Sequence, residues 1–333
     1  MLIIESYTLA VILLIITMLC WGSWANTQKL ASKSWSSQLF YWDYTLGIML
    51  LALILGFTLG STGEEGRSFV ADLNQASSIA LWSAFLGGVI FNIANLLLVA
   101  AIDIAGMAVA FPVGIGLALV IGVLVNYVAV PLGDPILLFF GVVLVVLAII
   151  LDAKAYKNLS KGVTFSSKGL WLSIVAGVLM GFFFRFVAAA VSTDFANPIN
   201  GLMTPYSAVF IFSIGIFTSN FIWNTYFMYK PLKGPKVTYM DYFRKGNLKL
   251  HLIGLLGGII WCLGMSFSMI ASEQAGFAIS YGLGQGATMI AAAWGVFIWK
   301  EFENGPKGTN TLIFSMFTFF ILGLALIIIA RLN

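Results

Sequence analysis

Residues Gly87 to Gly116 recur without a gap as Gly257 to Gly286, and both copies lie inside long apolar stretches. The offset is 170, and nine of the 30 aligned positions are identical: Gly87, Gly88, Ile90, Ala101, Ala105, Gly106, Ala108, Gly114 and Gly116. Asp103 falls opposite Glu273. A segment repeated once in each half of an apolar chain calls for two related membrane units, and a solute site at the interface of such units can be exposed to either side of a bilayer. The repeat thus constrains architecture and class of function together.

The chain is 60% hydrophobic and 9% charged, with a mean hydropathy of +1.00, where soluble domains carry roughly 25% charged residues. A water-soluble globule is excluded. Apolar runs of about 20 residues, each enough to cross the hydrocarbon layer as a helix, begin near Tyr7, Phe40, Ile79, Ala105, Pro135, Leu170, Tyr206, Leu252, Gly276 and Thr311. Ten such runs predict an all-α integral membrane protein of ten transmembrane helices. No removable signal peptide is expected, because Glu5 and no Lys or Arg precedes the first run. Cys20 and Cys262 fall inside spans and read as packed apolar residues.

Positive charge concentrates in cytoplasmic loops, and the 17 Lys and Arg separate cleanly on this ten-span frame. With the amino terminus outside, Lys29, Lys33, Lys154, Lys157, Lys161, Lys168, Lys230, Lys233, Lys236, Arg244, Lys245, Lys249, Lys300 and Lys307 all fall on the inner side. Arg67 and Arg331 fall outside, and Arg185 lies within span 6. Both termini are expected to be extracytoplasmic, in a plasma or inner membrane. The basic loops then anchor the inner leaflet, and nucleic acid is not an expected partner.

Five spans per half is an odd number, so the second half enters the bilayer in the opposite sense and the repeat is inverted. The expected organisation is a first five-helix unit over 1–152, a short basic cytoplasmic linker over 153–169 and a second unit over 170–333. Glycines within the spans let helix backbones approach closely. Pro112, Gly114 and Gly116, with Gly284 and Gly286, also weaken or bend spans 4 and 9, which are the expected cavity helices and gates. Asp103 and Glu273 occupy equivalent turns, where they can cap the following helices or gate the two mouths.

Polar residues at helical spacing supply candidate solute contacts: Asn92 and Asn95 in span 3, and Tyr281, Gln285 and Thr288 in span 9; Asn220 and Asn224 form a third stripe. Such groups hydrogen-bond a polar solute or hold helices together. Trp24 and Trp42 lie beside amide and hydroxyl groups and suit planar rings, whereas Trp35 and Tyr41 read as an interfacial aromatic belt. Asp43, early in span 2, is the candidate for proton coupling, and Arg185 is the deepest permanent charge. No phosphate loop, metalloprotease or serine-hydrolase pattern occurs, so no enzyme activity and no cofactor are expected.

Glu5-Ser6, Gly22-Ser23-Trp24, Asp43-Tyr44-Thr45-Leu46, Thr58-Leu59-Gly60 with the loop to Gln75, Gly87-Gly88, Asn95-Leu96, Ile121-Gly122 and Asn126-Tyr127 together resemble the ureide permease family of the drug/metabolite transporter superfamily. The resemblance implies ten helices in two inverted repeats and proton-linked movement of small oxo-heterocycles such as allantoin, uracil or xanthine. Plant members carry a long central loop with a phosphate-loop-like motif; here Asp152 to Gly169 is short and lacks it. The expected function is secondary active uptake of a small polar solute with protons. A sugar or nucleoside importer and a drug or metabolite exporter are the alternatives within the same superfamily.

Overall fold

The computed structural model describes residues 1–32, 34–105, 110–159, 166–232, 234–303 and 305–332; Lys33, Gly106, Ala108, Lys161 and Lys233 lie outside the described residues, as do the side chains of Asp103 and Pro112. In chain order the elements are α1 (Tyr7–Ser23), α2 (Ala25–Ala31), α3 (Ser37–Phe57), α4 (Phe69–Gln75), α5 (Ser78–Ala105), the π-turn π1 (Phe111–Ile115) and α6 (Gly116–Ala129). They continue as α7 (Pro135–Leu159), α8 (Ser167–Ala189), α9 (Pro205–Tyr229), α10 (Tyr239–Lys245), α11 (Leu248–Ala275), α12 (Phe277–Gly284), α13 (Ala287–Ala293), π2 (Trp294–Ile298) and α14 (Thr309–Ile329). Among the described residues the only β pairing is the isolated bridge between Val191 and Met203.

Among the described residues eight helices are long and apolar enough to cross a membrane: the α1–α2 rod, α3, α5, α7, α8, α9, α11 and α14. The two expected spans that fall short are those carrying the second part of the repeat. Span 4 is divided into π1 and α6, and its apolar helix, Val113–Ala129, is shorter than the rest. Span 9 is divided into α12, α13 and π2. The breaks coincide with Gly114–Gly116 and Gly284–Gly286, where missing side chains and weak helix propensity release backbone groups.

Helix ends follow local chemistry. The Ser6, Ser36 and Ser166 side chains accept backbone N–H bonds at the starts of α1, α3 and α8, and Asn247 does the same for α11. Pro205 opens α9. Gly276, at φ 81, lets the chain leave α11 and start α12 at once. Short helices α4 and α10, unforeseen in the sequence reading, each have seven residues and are separated by the same offset of 170 as the 28-residue α5 and α11.

Close helix crossings recur at equivalent places. A Cβ on Gly88 would strike the Phe212 carbonyl and Ile216 nitrogen of α9, and one on Gly258 would strike the Tyr44 carbonyl and Ile48 nitrogen of α3. Reciprocally, Gly215 abuts the Phe85 carbonyl and Gly47 the Leu255 carbonyl. Thus α5 crosses α9 as α11 crosses α3, with backbone against backbone. Contact register gives direction: Gly60, Thr45 and Trp42 of the α3 region meet Tyr206, Asn220 and Met228 of α9 in reverse order, so α3 and α9 run antiparallel. The α7–α14 pair is antiparallel too, with Asp134 bonded to Ala330, Gly141 against Gly323 and Tyr156 tilted against Phe302.

Gly88→Ala and Gly258→Ala are expected to destabilise the folded protein by about 1–3 kcal/mol each, the range for overpacking. Gly116→Ala, whose Cβ meets nothing within 4 Å, is expected to be neutral. Thermal unfolding in detergent checks this; equal effects at all three positions would contradict the crossing geometry.

Candidate functional site

Between α1–α2, α5, α8, α11 and the α12–α13 break lies a cavity of about 520 Å³. Its floor is aromatic. The Trp21 indole N–H donates to the Trp261 carbonyl at 3.2 Å, and the two indoles stack with centroids 5.8 Å apart and planes 15° from parallel. Phe91 lies 4.3 Å from Trp261 and 5.1 Å from Phe183, with Phe212 behind them. Gly264 and Gly284 both face the Trp21 ring, so side chains there would displace it. Trp24, tilted against Tyr44 at 4.8 Å, forms a wall nearer the mouth.

Apart from Lys29 at the mouth, the polar lining is neutral. The Asn95 amide donates to the Tyr41 hydroxyl at 3.0 Å, while its oxygen has no hydrogen bond among the described residues. Gln285 sits in the gap between α12 and α13, where its side-chain amide has no protein partner among the described residues. Thr288 gives its hydroxyl proton to the Gln285 carbonyl at 2.9 Å and retains acceptor capacity. Lys29 is the one charged lining residue described, and it stands at the exposed mouth, paired with Glu301 at 2.7 Å and lying 4.1 Å over the Trp299 ring. Trp299 and Trp294 donate to Asn26 and Ser23, which fixes the α1–α2 rod to π2 and the turn after it. The cavity therefore runs from its aromatic floor toward the end of the molecule where the basic loops emerge.

The opposite end is closed by polar ties. Asp72 of α4, fully buried, lies 3.0 Å from the Arg67 guanidinium and accepts the Thr204 N–H at the start of α9. Gln75 bonds Leu202 and Gly201, and the Met1 amino group bonds the Glu65 carbonyl. Glu273 accepts the Phe195 N–H at 2.6 Å. It does not cap α12, which begins at Gly276 without a side-chain cap, so the expected capping role is corrected to a tie between α11 and the α8–α9 loop.

Of the residues named from sequence, Trp24, Asn95, Gln285 and Thr288 line the cavity. Three others lie elsewhere. The Asn92 side chain is buried between α5 and α9, donating to the Ile216 carbonyl and the Ser219 hydroxyl. Tyr281 points away, its hydroxyl bonded to the Met180 carbonyl at 3.0 Å and its ring against Gly122. Trp42 packs on Phe221 and Tyr239 and donates to the Met228 sulfur at 3.3 Å. Asn220 and Asn224 bond Thr45 and the Gln38 carbonyl, holding α9 to α3. Trp35 and Tyr41 are 2% and 4% exposed, so they are interior residues rather than an aromatic belt. Arg185 is half-buried on α8 with no ion-pair partner among the described residues.

Asp43 does not face the cavity. It is 2% exposed at the start of α3, accepts the Tyr242 hydroxyl of α10 at 2.5 Å, and lies 3.0 Å from His251 Nδ1 of α11. Gly254 presses against its side chain. Trp21, Phe91, Phe183 and Trp261 escaped the sequence reading because an aromatic within a span, alone or in a run such as Phe182 to Phe184, carries no mark of the surface it faces. Phe91 and Trp261 did carry a signal, each standing three residues after a repeated Gly-Gly pair, Gly87-Gly88 and Gly257-Gly258.

The chain matches the ureide permease family over residues 40–164 and again over 152–330, the two stretches overlapping at the short basic connection. It is similar to ureide permease 1 of Arabidopsis thaliana at 23% identity, covering 97% of each chain. Ureide permease 3 of the same plant is 26% identical over 84% of this chain and 89% of its own. The probable ureide permease A3 of Vigna unguiculata is 24% identical, covering 92% and 99%. A solved structure described only as a crystal structure of a protein aligns with a TM-score of 0.58 at 14% identity, over 98% of this chain and 99% of that one, and shows a shared fold.

Tyr281→Phe is expected to lower stability by about 0.5–1.5 kcal/mol, since it removes the buried hydrogen bond from the Tyr281 hydroxyl to the Met180 carbonyl. Gln285→Leu, which removes an amide with no hydrogen bond among the described residues, is expected to be neutral or stabilising. Thermal unfolding of the two variants ranks them, and the reverse order would contradict these placements.

Proposed function

Because this chain belongs to the ureide permease family, we propose that it moves a neutral ureide of the allantoin type, or a similar oxo-heterocycle, through the cavity above the Trp21–Trp261 floor. The chain is an integral membrane transporter and not an enzyme. The observation that carries the substrate reading is the pairing of flat aromatic surface with the unpartnered amide of Gln285. A planar ring stacks on the former while its edge exchanges hydrogen bonds with Gln285, the free Asn95 oxygen and Thr288. Trp24 supplies a further face at the mouth.

Ten spans in two inverted five-helix units, 1–152 and 170–333, account for the arrangement when the divided elements π1–α6 and α12–α13–π2 are counted as one span each. Supporting this are the offset of 170 shared by α4 with α10 and by α5 with α11, the matched crossings, and the antiparallel register of α3 with α9. The broken segments at Gly114–Gly116 and Gly284–Gly286 are then the equivalent gates of the two units. In this reading the basic end is cytoplasmic, both termini are extracytoplasmic, and the cavity is open inward. Proton coupling is assigned to Asp43, which acts through helix packing because it lies outside the cavity.

Proteoliposomes loaded with unlabelled allantoin are expected to take up labelled allantoin by counterflow, with uracil competing and glucose and ribose not. Gln285→Ala is expected to raise KM about 5- to 10-fold, the effect of losing one neutral hydrogen bond of about 1–1.4 kcal/mol. Counterflow of sugars but not of allantoin or uracil would overturn the substrate assignment.

A further inference from the structure

Helices α4 and α10 are equivalent in position and length, and each docks on the first turns of the spanning helix that begins at its own end of the molecule. The residues that make the attachment, Asp72 and Tyr242, differ by the same 170 positions. Asp72 meets a backbone N–H at the start of α9 and a guanidinium, which is a permanent cation. Tyr242 instead meets Asp43 of α3, and the third member of that cluster is the only histidine in the chain. Of the two attachments, only the one at the basic end contains an imidazole, a group that can bind or release a proton.

The surroundings of Asp43 set the charge balance. Facing it are Tyr242 from α10, His251 from α11 and the indole of Trp35 from the α2–α3 connection, whose ring stands 5.3 Å from His251 and 5.7 Å from Tyr242. Among the described residues no Lys or Arg lies within ion-pair distance of it. The other charges of α10 are directed outward: Asp241 pairs with Lys245 at 2.8 Å, and Arg244 is exposed. That salt bridge, with two hydrogen bonds from Thr238, holds the Asp241 carboxyl down to about 2, so it stays ionised throughout. With a neutral imidazole the cluster buries a net negative charge, whereas one proton converts it to a neutral, hydrogen-bonded set. Burying an unbalanced charge is far more costly than burying a balanced pair.

We propose that Asp43, His251 and Tyr242 form a one-proton site that latches α10 over the ends of α3 and α11, closed when the proton is bound and released when it leaves. The proton is taken from and returned to solvent at the basic end, and Asp43 and His251 titrate as a unit. This deepens the proton-linked reading and rests on it for its role in transport. The latch itself is measurable without any solute. The sign follows from linkage: the closed state binds the proton more tightly, so closure is favoured as pH falls and lost as pH rises.

Val237, 5% exposed just ahead of α10, reports the latch, and Met240, 54% exposed on it, serves as reference. Each is replaced singly by Cys in a chain carrying Cys20→Ala and Cys262→Ala, and reacted with a maleimide. The ratio of the Val237→Cys rate to the Met240→Cys rate removes the thiol's own pH dependence. The ratio is expected to rise at least about five-fold from about pH 6 to about pH 8, within the limit for one linked proton. Added His251→Gln is expected to flatten the rise, and Asp43→Asn to hold the ratio low at both pH values. A flat ratio in the parent chain, or an unchanged rise in His251→Gln, overturns the proposal. Failure of allantoin counterflow with this behaviour intact would instead remove the solute reading and leave the latch standing.

Discussion

Backbone against backbone at Gly88, Gly215, Gly47 and Gly258 is the contact from which the rest of the structure follows. In a bilayer, apolar side chains gain little by turning from lipid to protein, and tight association comes from surfaces that fit without side chains between them. Each of these glycines abuts a main-chain carbonyl of the crossing helix, which fixes the α5–α9 and α3–α11 pairs at close range. The residues three to seven positions further along, Phe91, Asn95 and Trp261, are thereby carried to the centre of the molecule. The floor of the cavity is a consequence of the crossings rather than a separate feature.

The cavity combines aromatic surface with a few neutral donors and acceptors, and its charged lining residue, Lys29, is neutralised by Glu301 at the mouth. Such a site suits a small uncharged molecule with a flat face and polar edges, because a charged solute would lose hydration with no opposite charge to replace it. The two ends differ in a manner that suits alternating exposure. One is closed by buried permanent ties around Asp72, while the other is held by contacts at exposed positions, Lys29–Glu301, and by the Asp43 cluster.

Membrane character, the repeat, and the breaks in spans 4 and 9 were legible in the sequence, because each rests on properties that a chain carries locally: apolar run length, recurrence at a fixed offset, and glycine. Asn95 and Asn92 show where legibility ends. They lie on the same face of one helix, yet Asn95 reaches the cavity and Asn92 is spent on Ser219, a difference decided by the position of α9. Tyr281 and Gln285 part for a similar reason, since the helix break at Gly284 turns Gln285 off the face that Tyr281 occupies. Asp43 stood out as an intramembrane acid, but its partners lie 199 and 208 positions away, at Tyr242 and His251. No spacing rule reaches that far. Trp35 was misread because an aromatic near a span end looks the same whether it faces headgroups or a buried cluster.

The proposed arrangement of two units in opposite senses around one cavity is tested most directly at the equivalent loops that follow α3 and α9. Single cysteines in place of the exposed residues Glu64 and Lys236 are reacted in intact cells with a membrane-impermeant maleimide, with Cys20 and Cys262 replaced. The account predicts that the position-64 thiol reacts from outside and that the position-236 thiol reacts only after the membrane is opened. Reaction of both from the same side would contradict it.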